Sequence, residues 1–274
     1  MPSTNILRVL TVFLLVWQLP LPARAARKQG DTLVYELVAG TTVTGSKHTN
    51  PFAAPGQINF KIAITSIKPD QSAIVHVTVD NLAPPSLAHG RFGAATLKEF
   101  EEQHRYMQFD ALLSPDGALL VAVDNNLQDS NPLEGLSQAD MPKAIVAQLH
   151  SPEYQAKIAV NQAAGAFGVA NAVALSCAKR TSLSAGDTWR VVSKSDGGTY
   201  DVSVNGKQSY RGHDVVVLGA TFHMESPNGS ISVDSTVYYD LQAHLIVGVH
   251  TITKNDITVT GMKTTSTSDL NLKE

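Results

Sequence analysis

From residue 187 to residue 270 the sequence is cut by turn residues into short segments of strand character, and this punctuation restricts the fold more than any other feature. The segments run near 188–194, 199–204, 213–224, 229–240, 244–254 and 256–267, with Asp196-Gly197-Gly198, Asn205-Gly206 and Asn228-Gly229 as separators. Gly and Asn accept the positive φ that tight hairpin turns require, so the spacing predicts an antiparallel β-meander. Val215-Val216-Val217-Leu218 is a continuous apolar run. A strand of that kind is expected to be covered on both faces.

Residues 31–124 carry the same signal. Ile58, Phe60, Ile62 and Ile64 alternate with Asn59, Lys61, Ala63 and Thr65, the two-residue period of a half-buried strand. Pro69-Asp70 then marks a turn, and Val75, Val77 and Val79 resume the inward set. A second hairpin is expected from Tyr106–Leu113, a Ser-Pro-Asp-Gly turn at 114–117, and Ala118–Val123. Pro115 presets its own φ and Gly117 accepts positive φ there. Residues 81–103, with Pro84-Pro85, Gly90 and Gly93, read as a loop, with a short helix over 94–104.

The period changes between 137 and 180. Asp140 before Pro142 predicts one helix to about His150, and Ser151-Pro152-Glu153 starts a second with N-cap, N1 proline and early acid. Val160, Ala163, Phe167, Ala170, Ala174 and Cys177 then fall on one helical stripe. Lys179 and Arg180 suit the negative end of the helix dipole. Gly165 and Gly168 inside this helix cost about 1 kcal/mol each relative to Ala. Close backbone approach to a sheet is the expected compensation. Asn161, Gln162 and Asn171 interrupt the apolar run and argue against a membrane span.

The two β regions echo each other. Gly30-Asp31-Thr32-Leu33 opens the first and Gly186-Asp187-Thr188-Trp189 the second; Phe109-Asp110 and Tyr239-Asp240 each come before a turn and an apolar strand. The pattern reads as a weak internal repeat. With its Gly-Asp-x-Trp opening, long strands and late Tyr-Asp-x-x-x-x-Leu hairpin, the chain resembles uncharacterised exported bacterial β-proteins. In layout it is distantly similar to lipoprotein carriers of the LolA and LolB kind. That resemblance implies a curved antiparallel sheet wrapped around helices and an apolar cavity, and it transfers no site residue.

Residues 1–25 read as a secretory signal peptide: Arg8 in the n-region, an apolar core from Val9 to Trp17, Pro20 and Pro22, and an Ala23-Arg24-Ala25 cleavage site. The apolar core is shorter than the roughly 20 residues a bilayer crossing takes, so no transmembrane segment is expected after cleavage. The expected address is the periplasm or the extracellular space. The formal net charge is −3, which leaves no basic surplus to neutralise nucleic-acid phosphates. One cysteine cannot close a bridge within the chain.

The chain carries no Gly-x-Ser-x-Gly elbow, His-Glu-x-x-His, phosphate loop or dinucleotide fingerprint. Cys177 reads as a small apolar residue on the helix stripe. His223 and His250 come together only if neighbouring strands align them. Asp124-Asn125-Asn126 reads as a turn, and Asp110 and Asp240 as turn acceptors. Trp189 is either a core anchor or a platform for a ligand.

The expected fold is therefore α+β, mostly β: a signal peptide over 1–25, an antiparallel meander over 26–134, a helical hairpin over 135–182 and a second meander over 183–274, with 26–274 forming one domain or two. The expected function is non-catalytic. An apolar ligand, such as a lipid, would bind between sheet and helices, with Trp189, Phe167 and Val160 as candidate contacts. No catalytic residue, metal or cofactor is expected. The alternative is a structural or protein-interaction module of the cell envelope; a third reading is a hydrolase whose site assembles from residues distant in sequence.

Overall fold

The computed structural model describes residues 27–44, 56–82, 106–121, 151–180, 182–193 and 197–273. The expected signal peptide, the loop and short helix within 83–105, the turn at 124–126 and the first helix of the expected hairpin lie outside them. The described strands are β1 (Thr32–Thr44), β2 (Gly56–Ile67), β3 (Ala73–Leu82), β4 (Tyr106–Leu113), β5 (Leu119–Leu120), β6 (Thr188–Val192), β7 (Thr199–Tyr210), β8 (His213–Ser226), β9 (Gly229–Asp240), β10 (Leu245–Ile257) and β11 (Met262–Lys273). Among the described residues one helix, α1 (Pro152–Cys177), stands between β5 and β6 in the chain.

All eleven strands form one antiparallel sheet in the order β5-β4-β3-β2-β1-β11-β10-β9-β8-β7-β6. The two expected meanders are therefore halves of one sheet, joined where β1 pairs β11 from Val34↔Lys273 to Thr44↔Lys263. The join follows from sequence period: Tyr35 opposes Leu272 and Leu37 opposes Leu270, so both inward sets fall on one face.

The internal echo is real at its opening and displaced at its end. Gly30 N–H donates to Ile64 O, and Asp31 O accepts from Ile64 N–H; Gly186 N–H donates to Val204 O, and Asp187 O accepts from Val204 N–H. Asp31 Oδ2 accepts from Lys28 N–H, and Asp187 Oδ2 from Ser184 N–H. Both halves then carry a bulge next to that contact, at Ile64/Ser66 and at Val204/Gly206. Late in the repeat, Tyr239 pairs with Ile246 as Leu113 pairs with Leu119. Leu113-Ser114, not Phe109-Asp110, is thus the counterpart of Tyr239-Asp240. Function at the turn explains the shift: Ser114 Oγ accepts from Ala118 N–H, and Asp240 Oδ1 accepts from Gln242 and Ala243 N–H. Asp110 instead faces outward in mid-strand, against His76.

Helix α1 begins where its cap predicts. Ser151 Oγ accepts from Tyr154 N–H at 3.2 Å, and Pro152 fills the first turn. Ala163, Phe167, Ala170, Ala174 and Cys177 are buried, whereas Val160 is half-buried and Ala159 takes its expected place. Phe167 packs edge-on against Tyr35 and Phe60, with centroids 5.0 and 5.5 Å apart. Gly165 corrects an expectation. It is exposed, and a Cβ built there meets nothing within 4 Å, so close packing does not offset its helix cost.

The sheet rolls around this helix. A flat eleven-stranded sheet would hold its edges roughly 48 Å apart. Here both edges reach the C-terminal half of α1. On β5, Leu119 N–H donates to Asn171 Oδ1 at 2.9 Å, and Asn171 Nδ2 donates to Leu119 O at 2.6 Å. On β6, Trp189 Nε1 donates to Ser176 Oγ at 2.9 Å. Residues 171 and 176 are only about 7.5 Å apart along the axis. The helix thus occupies the gap between two otherwise open strand edges and satisfies part of one of them.

One end of the rolled sheet is closed. The β4–β5 turn meets the β9–β10 turn across the interior: Tyr239 Oη donates to Asp116 O at 2.8 Å, and Arg27 donates to Ser114 O at 2.7 Å and to His244 O at 2.8 Å. Gly117, at φ 82°, allows the contact, because a Cβ there would lie 2.1 Å from His244 O. Tyr35 Oη donates to Ile246 O at 2.8 Å, and burial pushes this phenol above its ordinary pKa. The core lies at this end, with Phe60, Val75, Val77, Leu218, Val237 and Leu270 at most 1% exposed.

Candidate functional site

The concave face changes character away from the closed end. Along β11, inward Leu272 and Leu270 give way to Ser268, Ser266 and Thr264. Hydroxyls pair across strands there: Thr41 with Ser266, and Ser235 with Thr251, both at 2.9 Å. Asn255 Nδ2 donates to Thr264 Oγ1 at 3.2 Å.

On the other side of the open end, the first turns of α1 stand off from the ends of β2, β3 and β4. A cavity of about 320 Å3 lies between them. Its apolar lining comes from Ile58, Leu82, Met107 and Ile158, and its polar lining from the amides of Gln57, Asn81 and Gln162, with Gly56 at the mouth. Geometry explains the gap. The small residues Ala159 and Ala163 bring the helix down onto the sheet on one side. Gly56 offers no side chain to fill the opposite wall. Leu82 ends β3 and Met107 is the second residue of β4, on either side of residues 83–105.

Two amide oxygens on lining residues, Asn81 Oδ1 and Gln162 Oε1, are closed off from the cavity. Gln162 Oε1 is out of contact with solvent and has no hydrogen-bond partner. A buried acceptor left unmade costs about 1–3 kcal/mol, so it is informative where it occurs. Gln57 is already committed, since its Nε2 donates to Glu36 Oε1 at 2.6 Å. Lys, Arg, His, Asp and Glu are absent from the described lining.

The three candidate contacts from the sequence do not converge. Phe167 is a core residue, 2% exposed. Val160 packs half-buried against the core edge. Trp189 sits on the β6 edge, bonded to Ser176 and covered by the Arg180 guanidinium 4.0 Å from its ring. Trp189 also borders a polar depression over β6–β8, with Thr188, Arg190, Asp201, Ser203 and Thr221. The Arg190–Asp201 pair there is exposed on both sides; such pairs contribute little.

Titratable groups lie elsewhere. His76, His213 and His250 pair with Asp110, Asp240 and Asp269 at 2.9, 2.9 and 2.7 Å, each across neighbouring strands of the outer face. His223 and His250 do not meet: His223 opposes Ser232, whose partner on β10 is Lys254, and each histidine has its own carboxylate. Among the described residues no group of three or more His, Cys, Asp and Glu side chains is placed to hold a metal. Burial pushes the Asp240 carboxyl up, but the N–H groups of Ala243 and Gln242 and the His213 ring outweigh it and hold the group below its ordinary value. Cys177 is buried, and its thiol is pushed up to about 11 by desolvation, which leaves it neutral and unreactive.

No family model matches the chain, and no curated protein does. Solved structures that match the chain include one concerned with lipid–protein interactions in lipovitellin, at 10% identity and TM-score 0.41, over 90% of this chain and 25% of that one. This chain therefore spans a quarter of the lipovitellin chain's length. Another is a DUF1329 family protein from Desulfovibrio piger, at 9% identity and TM-score 0.22, over 89% of this chain and 86% of that one.

Proposed function

We propose that this chain is an exported, non-catalytic protein that binds an apolar ligand, such as a lipid acyl chain, between the N-terminal half of α1 and the open ends of β2–β4. The observation that carries the reading is the cavity of about 320 Å3 walled by Ile58, Leu82, Met107 and Ile158. Its volume lies at the lower end of the range for small-molecule pockets and is about twice that of a cavity able to take up benzene. An alkyl body moved from water into it gains about 0.8 kcal/mol per buried methylene. Phe167 is buried against Tyr35 and Phe60, so the proposed ligand site is this one flank of the helix–sheet interface. The outer-face His–carboxylate pairs contact neither the cavity nor one another, which favours binding over turnover. Export rests on the signal-peptide reading of residues 1–25 and places the protein in the periplasm or outside the cell.

Native mass spectrometry of the protein purified without detergent tests this. The expected result is an adduct that extracts into organic solvent and is lost in Ile158→Trp, which fills the cavity. An apo mass that also fails to shift with added decanol counts against the proposal.

A further inference from the structure

The cavity is a slot with one closed end. Along the strands it stops on a packed layer, where Phe60 opposes Val79 and Val79 opposes Met107, all three buried. Two residues further out on β2, Ile58 opposes Asn81, and both line the slot. Ile158 and Gln162, one helical turn apart, form the facing wall. The outer end lies at Gly56, where a Cβ built on the backbone meets nothing within 4 Å. An apolar body therefore enters past Gly56 and stops against Met107. We infer that this site takes a single alkyl chain of about ten to twelve carbons, inserted end-on with its methyl toward Met107. The inference rests on the reading that the cavity binds an apolar ligand, and it fixes the number of chains and their length. A cavity of about 150 Å3 takes up benzene, or about 25 Å3 for each carbon. On that scale a cavity of about 320 Å3 holds about a dozen carbons. The paired chains of a two-tailed lipid, or a sterol skeleton, need about twice that volume or more. The layer of Phe60, Val79 and Met107 blocks extension inward. A chain that outgrows the slot leaves its added methylenes in water at the Gly56 end, where they contribute little.

Isothermal titration of the full chain with n-alkyl tetraethylene glycol ethers, each below its micelle concentration, tests this. Their head is slim, uncharged and constant, and the tail runs from hexyl through octyl, decyl and dodecyl to tetradecyl. One ether binds per protein. Affinity rises about fifteenfold for each two methylenes while the tail fills the slot. It rises less than about threefold per step once the tail reaches the outer end, so the break falls at decyl or dodecyl. Gly56→Leu places about four carbons at that end, where there is room for them, and moves the break one or two steps down the series. A break at octyl or below in the unmodified protein, a steady rise through tetradecyl, or two ethers bound per protein overturns the single-chain inference while leaving the cavity reading in place. Absence of binding by the whole series, or a break that Gly56→Leu does not move, overturns the cavity reading itself. The length series needs no variant, so it decides the matter even where Gly56→Leu folds poorly.

Discussion

Asn171 is the best place to test whether the helix holds the rolled sheet together. Its side-chain amide makes two bonds to the backbone of Leu119, accepting at 2.9 Å and donating at 2.6 Å. Leu119 is 1% exposed, so its N–H and C=O find water only if β5 lifts away. Asn171→Ala leaves both groups unmade. Each buried orphan costs about 1–3 kcal/mol, and partial rehydration at a sheet edge brings the expected total to about 2–4 kcal/mol. Asn171→Asp separates the hydrogen-bond account from a packing account. At pH 7 the introduced carboxylate still accepts from Leu119 N–H but turns a lone pair toward Leu119 O. Protonated, it donates there as the amide does. Its folded-state pKa is therefore raised above the unfolded value, and the stability it contributes is present at low pH and lost as pH rises through the folded pKa. Urea unfolding of the wild type and both variants from pH 3.5 to 7.5 reads this directly. The Asp variant should approach the wild type at the acid end and fall behind it toward neutrality. A cost below about 0.5 kcal/mol for Asn171→Ala, or an Asp variant with a pH-independent deficit, would refute the reasoning.

Other outcomes follow from the same geometry. Gly165→Ala should raise stability by about 0.5–1 kcal/mol in thermal unfolding, because the added Cβ meets open space and the helix gains propensity. Gly117→Ala should cost more than about 2 kcal/mol, combining a positive φ with a Cβ placed on His244 O. Phe167→Ala should cost about 3–5 kcal/mol, since it empties the space between Tyr35 and Phe60. The depressed Asp240 pKa contributes stability above the ordinary carboxylate range that is lost as pH falls through the folded value. Asp240→Asn should therefore be less stable than wild type at pH 7 and show a smaller loss on acidification. Cys177 should resist a thiol reagent at pH 8 until the protein is unfolded in urea.

Local signals were legible in the sequence and long-range ones were not. The β2–β3 hairpin and the 114–117 turn could be read because Asp70, Pro115 and Gly117 act within a few residues of themselves: Asp70 Oδ1 accepts from Ser72 N–H, and Gly117 has φ 82°. Asn205-Gly206 carries the same turn signature but sits inside β7, where Gly206 at φ 136° forms the bulge beside Val204. The chain instead reverses at Arg211-Gly212. The last strand was expected over 256–267 and runs over Met262–Lys273. Its Thr and Ser alternation offers no apolar set to fix a register, so Leu270 and Leu272 at its far end decide it. The candidate site was not legible because Ile58, Leu82, Met107 and Ile158 come from four separate elements. Gln162 was visible as a polar residue inside an apolar helix. Its sequence signal was read only as an argument against a membrane span, although α1 is long and apolar enough for one by length and composition; the cavity beside it depends on where β2–β4 end.

The proposed ligand lies in the gap between the first turns of α1 and the ends of β2–β4, and crystals soaked with an ω-brominated decanol show whether it does. One anomalous bromine peak is expected inside that gap, with the alkyl chain against Ile158, Ile58 and Leu82. A peak confined to the β6–β8 depression beside Trp189, or an empty gap at saturating ligand, would contradict it.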